Sequence, residues 1–172
     1  MCIYNILTKR ITMIHHISIA ANQPQHVAQV LAELCQGQVA EFPYHPGCYI
    51  VVPMDSHGTM IEVLTPGSEF TPLSVDGENS WRQNPNPSKY NAFHAAISVP
   101  TSEAEIHEIA KREGWHVMTC DRKGYFSVIE VWIENRQLVE FLSPNLAEQY
   151  LAFMQPQSLS KFLSTIAADA KA

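Results

Sequence analysis

Apolar residues in the first third of the chain predict one strand, one helix and three further strands. The segment 14–20 is typical of a strand. The residues that follow have the i, i+3, i+4, i+7 spacing of one helical face: Val27, Val30, Leu31 and Leu34. Asn22 is positioned to cap this helix, Pro24 suits its first turn, and Gly37 ends it. Short strands are predicted near 38–43, 47–53 and 58–65.

The same β-α-β-β-β order appears again in the second half. A strand is predicted over 91–100, and Ser102 with Glu105 forms the capping box of a helix that ends at Gly114. Three strands are predicted to follow, near 115–121, 125–134 and 136–143. Asn145 is positioned to cap a C-terminal helix, which Pro156 divides.

The stretch between the two series reads as a linker. In Asn84-Pro85-Asn86-Pro87-Ser88, each proline lacks a backbone donor and disfavours helix at the residue before it. The predicted organisation is therefore an N-terminal extension, a first module, a linker, a second module and a C-terminal helical segment. Their bounds are 1–13, 14–66, 67–90, 91–145 and 146–172.

A histidine and a glutamate recur at matching positions of the two series. His16 opens the first strand of the first series and Glu62 lies in its last strand, 46 residues later. His94 and Glu140 repeat this arrangement, again 46 residues apart and 78 residues further along. The flanking residues match as well, since Val-Leu-Thr-Pro follows Glu62 and Phe-Leu-Ser-Pro follows Glu140. This duplicated unit predicts four metal ligands that meet at one site.

The alternation of strand side chains supports the metal hypothesis. Ser18 and Ala96 lie on the same faces as His16 and His94, and such small neighbours leave room for a ligand. Glu62 lies between apolar residues on its own face, as Glu140 does. A carboxylate in such surroundings is costly unless it is paired or bound to a metal ion. Two imidazoles and two carboxylates suit Zn²⁺, Ni²⁺, Co²⁺, Mn²⁺ or Fe²⁺.

Composition narrows the class of protein. The 172 residues are 46% hydrophobic and 16% charged, as in a soluble globular protein with a sizeable core. The net charge of −6 argues against nucleic acid or an anionic membrane as partner. No run approaches the roughly 20 apolar residues of a membrane span, and the N-terminus lacks the pattern of a secretion signal. Four scattered cysteines without a Cys-x-x-Cys pair favour reduced thiols and a cytoplasmic protein.

With His on the first strand and Glu on the last strand of each module, residues 14–145 resemble the vicinal oxygen chelate superfamily. This superfamily includes glyoxalase I, methylmalonyl-CoA epimerase, extradiol dioxygenases and the bleomycin and fosfomycin resistance proteins. The resemblance implies an α+β fold in which the two modules form a half-open mixed β-barrel, with a C-terminal helix added. It makes His16, Glu62, His94 and Glu140 the ligands of one divalent metal ion per site. The set is similar to that of bacterial glyoxalase I.

The resemblance also implies a reaction. Two neighbouring oxygens of a small substrate would bind the metal, which would stabilise an enolate, while a ligating glutamate takes the proton next to the carbonyl. That base would be Glu140, with Glu62 as the alternative on the opposite face. The chain would then be a lyase or isomerase of the glyoxalase I or methylmalonyl-CoA epimerase type. The glyoxalase I assignment is weakened because Val30 to Gly37 lacks the Phe-Tyr pair often found in this helix.

Two alternatives stay open. The first is an extradiol-type dioxygenase, which would bind Fe²⁺ through two His and one Glu. The second is a protein that sequesters a small molecule, like the bleomycin resistance proteins, which generally lack the four ligands.

Tyr44 and Arg122 occupy equivalent places near the edge of the predicted cavity and are the weaker candidates for substrate binding. Arg122 is suited to holding a substrate carboxylate or phosphate, but its place in a predicted turn favours a side chain that faces solvent. A homodimer is possible, because superfamily sites form within one chain or between two.

Overall fold

A computed structural model of the chain describes residues 13–43, 45–71 and 80–169. The first module consists of five elements: β1 (His16–Ala20), α1 (Pro24–Cys35), β2 (Gln38–Glu41), β3 (Tyr49–Val52) and β4 (Met60–Leu64). Its sheet has the order β1-β4-β3-β2, in which β1 and β4 are parallel and the other neighbours antiparallel. The predicted β-α-β-β-β order is confirmed.

The second module repeats this topology. After the antiparallel pair β5 (Ser68–Thr71) and β6 (Ser80–Gln83), it contains β7 (Ala96–Ser98), α2 (Glu103–Arg112), β8 (His116–Asp121), β9 (Ser127–Ile133) and β10 (Gln137–Leu142). Its sheet order is β7-β10-β9-β8, again with only the first pair parallel. Within the described residues the two four-stranded sheets are separate and neither closes into a barrel. The pair β5 and β6 lies in the predicted linker and was not expected.

The two central helices begin in different ways. The capping box of α2 is confirmed, since the Ser102 hydroxyl accepts from the Glu105 backbone and the Glu105 carboxylate accepts from the Ser102 backbone. The prediction that Asn22 caps α1 is wrong. Gln23 occupies the N-cap of α1 without a side-chain hydrogen bond. Instead, the backbone N–H groups of Asn22 and Gln23 donate to the Glu134 carboxylate at 2.5 and 2.8 Å.

The end of α1 explains the glycine that follows it. Gln36 adopts the left-handed conformation with φ of 51°, and the Gly37 N–H donates to the Ala32 carbonyl at 2.8 Å. A Cβ atom on Gly37 would lie 2.6 Å from the Val52 carbonyl oxygen. Glycine is therefore required here by the close approach of β3 to the chain that leaves α1.

The C-terminal segment forms two helices, α3 (Pro144–Phe153) and α4 (Pro156–Asp169). Pro156 divides them as predicted, but the cap predicted at Asn145 is wrong. Ser143 occupies the N-cap, with Pro144 at the first helical position. The proline presets the helical φ and holds Ser143 extended, so the helix begins two residues before the predicted first helical residue.

The two modules share one hydrophobic core. Its largest fully buried side chains come from α1, α2 and the strands of both sheets, and include Leu31, Leu34, Ile61, Ile106, Ile129 and Phe141. Helix α1 packs on its own sheet, α2 packs on the second sheet, and the two helices contact each other. The buried Thr101 hydroxyl donates to the Leu34 carbonyl at 2.6 Å and joins the modules. The two modules are therefore joined on the side that carries α1 and α2.

Candidate metal and substrate site

Glu62 and Glu140 occupy equivalent registers in the two sheets. On the parallel pair of β1 and β4, Glu62 is aligned with Ser18. On β7 and β10, Glu140 is aligned with Ala96. Both glutamates therefore lie on the central parallel strand beside a small residue, as the strand alternation predicted. The duplicated sequence pattern corresponds to a duplicated place in the fold.

Glu62 is buried among apolar neighbours and has a hydroxyl partner. Its exposed fraction is 7%, and the Ser18 hydroxyl donates to its Oε2 atom at 2.5 Å. On the other side, the residue aligned with it on β3 is Ile50. Among the described residues, Glu62 takes part in no ion pair. A buried carboxylate with a single hydroxyl partner keeps lone pairs available for a further ligand.

Glu140 has different surroundings, because a second carboxylate and a guanidinium lie beside it. Glu130 is aligned with Glu140 across the antiparallel pair of β9 and β10. The Arg122 Nη2 atom donates to Glu140 Oε1 at 2.6 Å and to Glu130 Oε1 at 2.7 Å. These hydrogen bonds raise the pKa of the Arg122 guanidinium above its usual value, so it stays charged. The trio carries one net negative charge.

Both candidate histidines are exposed, and only His16 opens a strand as predicted, because β7 is shorter than the strand predicted over 91–100. His16 is the first residue of β1 and shares the face of Ser18, two residues or about 7 Å along the strand. His94 lies two residues before β7, and its Nδ1 atom is 3.4 Å from the Ala92 carbonyl oxygen. Neither imidazole is held by a carboxylate in the described residues.

The four predicted ligands do not form one cluster within a single chain. Among the described residues, no three His, Cys, Asp or Glu side chains are close enough to hold a metal ion together. The structure brings Ser18 to Glu62 and brings Arg122 and Glu130 to Glu140, but it does not join the two sets. The donor types fit a divalent metal, but over its described residues one chain does not bring enough of them together to bind it.

Of the two weaker candidates for substrate binding, only Arg122 lies among the described residues. Arg122 lies at the site, where it bonds two carboxylates rather than the solvent expected of a turn residue. Tyr44 lies outside the described residues. Sequence reasoning missed Glu130, although it is the central residue of β9 and shares its face with Val128 and Trp132. An acidic residue at such a position signals a cation nearby, and the antiparallel register would have placed it opposite Glu140.

The chain is similar in fold to solved structures of fosfomycin resistance proteins. The hexagonal form of genomically encoded FosX from Listeria monocytogenes aligns with a TM-score of 0.52 and 14% identity, over 81% of this chain and 99% of that chain. Its monoclinic form at pH 6.5 gives 0.51 and 14%, over 81% and 97%. FosX from Mesorhizobium loti gives 0.48 and 9%, over 82% and 99%. No protein-family model and no curated protein matches the chain.

The comparison establishes the fold. The chain has the α+β fold of the Listeria FosX structures, as the sequence predicted. In the described part of the chain, no helix is long and apolar enough to cross a membrane.

Proposed function

We propose that this protein is a divalent-metal-dependent enzyme of the glyoxalase type, a lyase or isomerase that removes a proton next to a carbonyl of a small substrate. The observation that carries the proposal is the equal register of Glu62 and Glu140 on the central strands of two matching sheets. A structural role alone would not require a carboxylate at both places, since leucine or valine would pack there at lower cost.

The proposed ligands are His16, Glu62, His94 and Glu140, and a second copy of the chain is proposed to complete each site. Among the described residues of one chain, no three of these side chains lie close enough together to hold a metal ion. In a two-fold dimer, the first module of one chain can face the second module of the other, and both sites then become complete.

A divalent metal bound there would supply a Lewis acid that stabilises negative charge on a substrate oxygen. The residues of the chain have separate tasks. Glu140 is proposed to take the proton, and Arg122 holds its carboxylate in position beforehand. When Glu140 turns to the substrate, Glu130 keeps the guanidinium in place through its own hydrogen bond. Glu62 remains the alternative base, because its burial and its single hydroxyl partner leave it the less tethered carboxylate.

Metal analysis of protein purified without chelators tests the ligand set. We expect near-stoichiometric divalent metal in the wild type and none in the double variants His16→Ala/Glu62→Ala and His94→Ala/Glu140→Ala. Circular dichroism and gel filtration of all three proteins control for folding. If the double variants retain wild-type metal content, the four residues are not the ligands.

Mixing the two double variants tests whether the site is shared. If sites form between copies, each mixed dimer regains one intact site, and metal returns to about a quarter of the wild-type content after random exchange of subunits. If sites form within one chain, the mixture stays metal-free. The second outcome would refute the shared site and leave the metal enzyme itself standing.

Turnover of a panel of small α-carbonyl compounds tests the reaction. Fosfomycin, an epoxide without a carbonyl group, is assayed separately beside the panel, because the Listeria protein of similar fold is a fosfomycin resistance protein. We expect Glu140→Gln to lose turnover while it keeps its fold, and Glu62→Gln to do so if the roles are reversed. An oxygen-dependent reaction would favour the dioxygenase alternative, and ligand binding that survives chelation would favour sequestration.

A further inference from the structure

A cavity of about 350 Å³ on the second module is lined by Tyr90, His116, Trp132 and Asn135. This size is within the range of small-molecule pockets and is sufficient for one aromatic ring with its substituents. The wall residues come from the linker, from β8, from β9 and from the turn between β9 and β10. The cavity therefore joins parts of the chain that sequence analysis treated separately.

The cavity opens on the sheet face that carries Glu140. Trp132 lies two residues after Glu130 on β9, so the two side chains share a face. Leu138 is aligned with Trp132 and lies two residues before Glu140 on β10. His116 is aligned with Trp132 on the other side. Two residues along a strand span about 7 Å, which places the cavity next to the trio of Arg122, Glu130 and Glu140.

The wall of the cavity is suited to an aromatic ring. The Tyr90 and Trp132 rings meet edge to face, with centroids 6.2 Å apart and an interplanar angle of 88°. This geometry leaves ring surface available to a third aromatic group. Tyr90 is 56% exposed, although its own neighbour Lys89 places its ammonium 5.0 Å from the ring centroid. An exposed tyrosine ring held beside a tryptophan gains stability when a ligand covers both.

Asn135 has a structural task in the same wall. Its side-chain carbonyl accepts from the His116 backbone at 2.8 Å, and its amide donates to the Gly114 carbonyl at 3.0 Å. Both polar ends of the amide are thus used to fix the turn against the start of β8. The asparagine shapes the cavity, while the two rings supply its contact surface.

We propose that this cavity is an aromatic subsite, which binds the planar ring of a substrate whose two neighbouring oxygens lie toward Glu140. The position of the oxygens depends on the function proposed above, whereas the binding of the ring does not. The substrate class is thereby narrowed from any small α-oxygenated compound to one that carries an aromatic group. A ring in this cavity and an oxygen pair at Glu140 would be about 7 Å apart, which is the length of two residues along a strand.

Mandelate and lactate are the matched probes, since both are 2-hydroxy acids and differ in a phenyl or a methyl group. Binding is measured by ligand-observed NMR and calorimetry on metal-free and Co²⁺-treated full-length protein. We expect mandelate to bind at least about tenfold more tightly than lactate in both forms, because only its ring can cover Trp132 and Tyr90. Mandelate should also shift the indole N–H resonance that disappears in Trp132→Leu.

Three variants make the test specific. Trp132→Leu and Tyr90→Leu should each reduce the mandelate preference by about three- to tenfold and leave lactate unchanged. Trp81→Leu is the control, because Trp81 lies in β6 and packs against Phe70 and His45 instead. Equal binding of mandelate and lactate, or an unchanged preference in both cavity variants, would overturn the subsite. A preference that persists without any metal uptake would uphold the subsite and refute the proposed metal enzyme.

Discussion

The two modules share a backbone plan and differ in how they hold their central carboxylate. In the first module, the row across the sheet reads Ser18, Glu62, Ile50 and Ala40. In the second, it reads Ala96, Glu140, Glu130 and Met118. Glu62 thus depends on a neutral hydroxyl in an apolar row, whereas Glu140 is balanced by Arg122 and opposed by a second carboxylate.

This difference shows that the position of a residue in a sheet does not determine the charges that surround it. The same place in two related sheets carries a carboxylate, yet its partner is a neutral hydroxyl on β1 in one module and a guanidinium from the turn between β8 and β9 in the other. Environments that differ in this way allow two carboxylates of one site to take different roles. Such an asymmetry is expected of an enzyme in which one glutamate remains a ligand and the other moves a proton.

Removal of Arg122 should have the largest effect on this asymmetry. Arg122→Met leaves Glu130 and Glu140 opposed across neighbouring strands without a cation. We expect the free energy of unfolding to fall by about 2–3 kcal/mol, below the value for a fully buried pair because the arginine side chain is 36% exposed. Urea unfolding measures it. The double variant Arg122→Met/Glu130→Gln should recover part of the loss, and no recovery would show that the repulsion is unimportant.

Exchange of the small residues beside the two glutamates should have the next largest effect. Ser18→Ala removes the hydroxyl that bonds the buried Glu62, and we expect a loss of about 1–2 kcal/mol in unfolding free energy. Ala96→Ser adds a hydroxyl beside Glu140, which Arg122 already satisfies, and should change stability by less than about 0.5 kcal/mol. Thermal and urea unfolding of both variants make the comparison. Equal losses would mean that the two carboxylates have equivalent surroundings.

The helix starts offer a third contrast between the modules. Ser102→Ala removes the side-chain cap of α2 and should cost about 1 kcal/mol of stability. Gln23→Ala should be close to neutral, because α1 has no side-chain cap and the Glu134 carboxylate bonds only its backbone. Urea unfolding again provides the measurement. A large loss in Gln23→Ala would show that the glutamine side chain has a contact outside those described.

The smallest expected effect is that of acid on the ion pairs between α1 and α2, which join the two modules. Arg112 hydrogen bonds lower the pKa of the Glu33 carboxyl below its ordinary value of 4.5. Burial raises the pKa of Glu113, but hydrogen bonds from Arg112 and His26 outweigh it, and the net pKa is lowered. Lowered carboxyl pKa values contribute stability above pH 4.5 that is lost as the pH falls through the folded-state pKa.

Arg112→Leu removes the cause of those lowered pKa values. Its stability should therefore decline less than that of the wild type between about pH 5 and pH 3, by under about 1 kcal/mol because these side chains are partly exposed. Lys111→Leu is the control, since it removes an equal charge from the neighbouring position of α2. Urea unfolding across this pH range would contradict the prediction if Arg112→Leu and the wild type declined in parallel.

Much of the fold was predictable because local patterns carried it. Alternating and helical apolar spacing predicted both β-α-β-β-β series, and the Ser102 capping box was confirmed to the residue. The failed prediction at Asn22 has a long-range cause. Asn22 has the right chemistry for a cap, but its side-chain carbonyl accepts from Arg136 in the other module. A partner 114 residues away decided that position, and no short pattern contains it.

The candidate site was predictable in its residue types and in the registers of Glu62 and Glu140. Their surroundings were not, because strand neighbours come from distant parts of the chain. Arg122 was expected to face solvent, yet it bridges two carboxylates from β9 and β10. Whether Tyr44 contacts substrate stays a prediction, as do the metal ligation and the shared site.

The sequence by itself determined the duplicated modules, the order of their strands and the paired positions of His and Glu, because periodicity and spacing are properties of the chain alone. Only the tertiary structure decided which charges surround each carboxylate, that the four proposed ligands do not converge among the described residues of one chain, and where an aromatic cavity forms. Those features depend on side chains brought together by strand pairing and helix packing, and sequence separation does not limit such contacts.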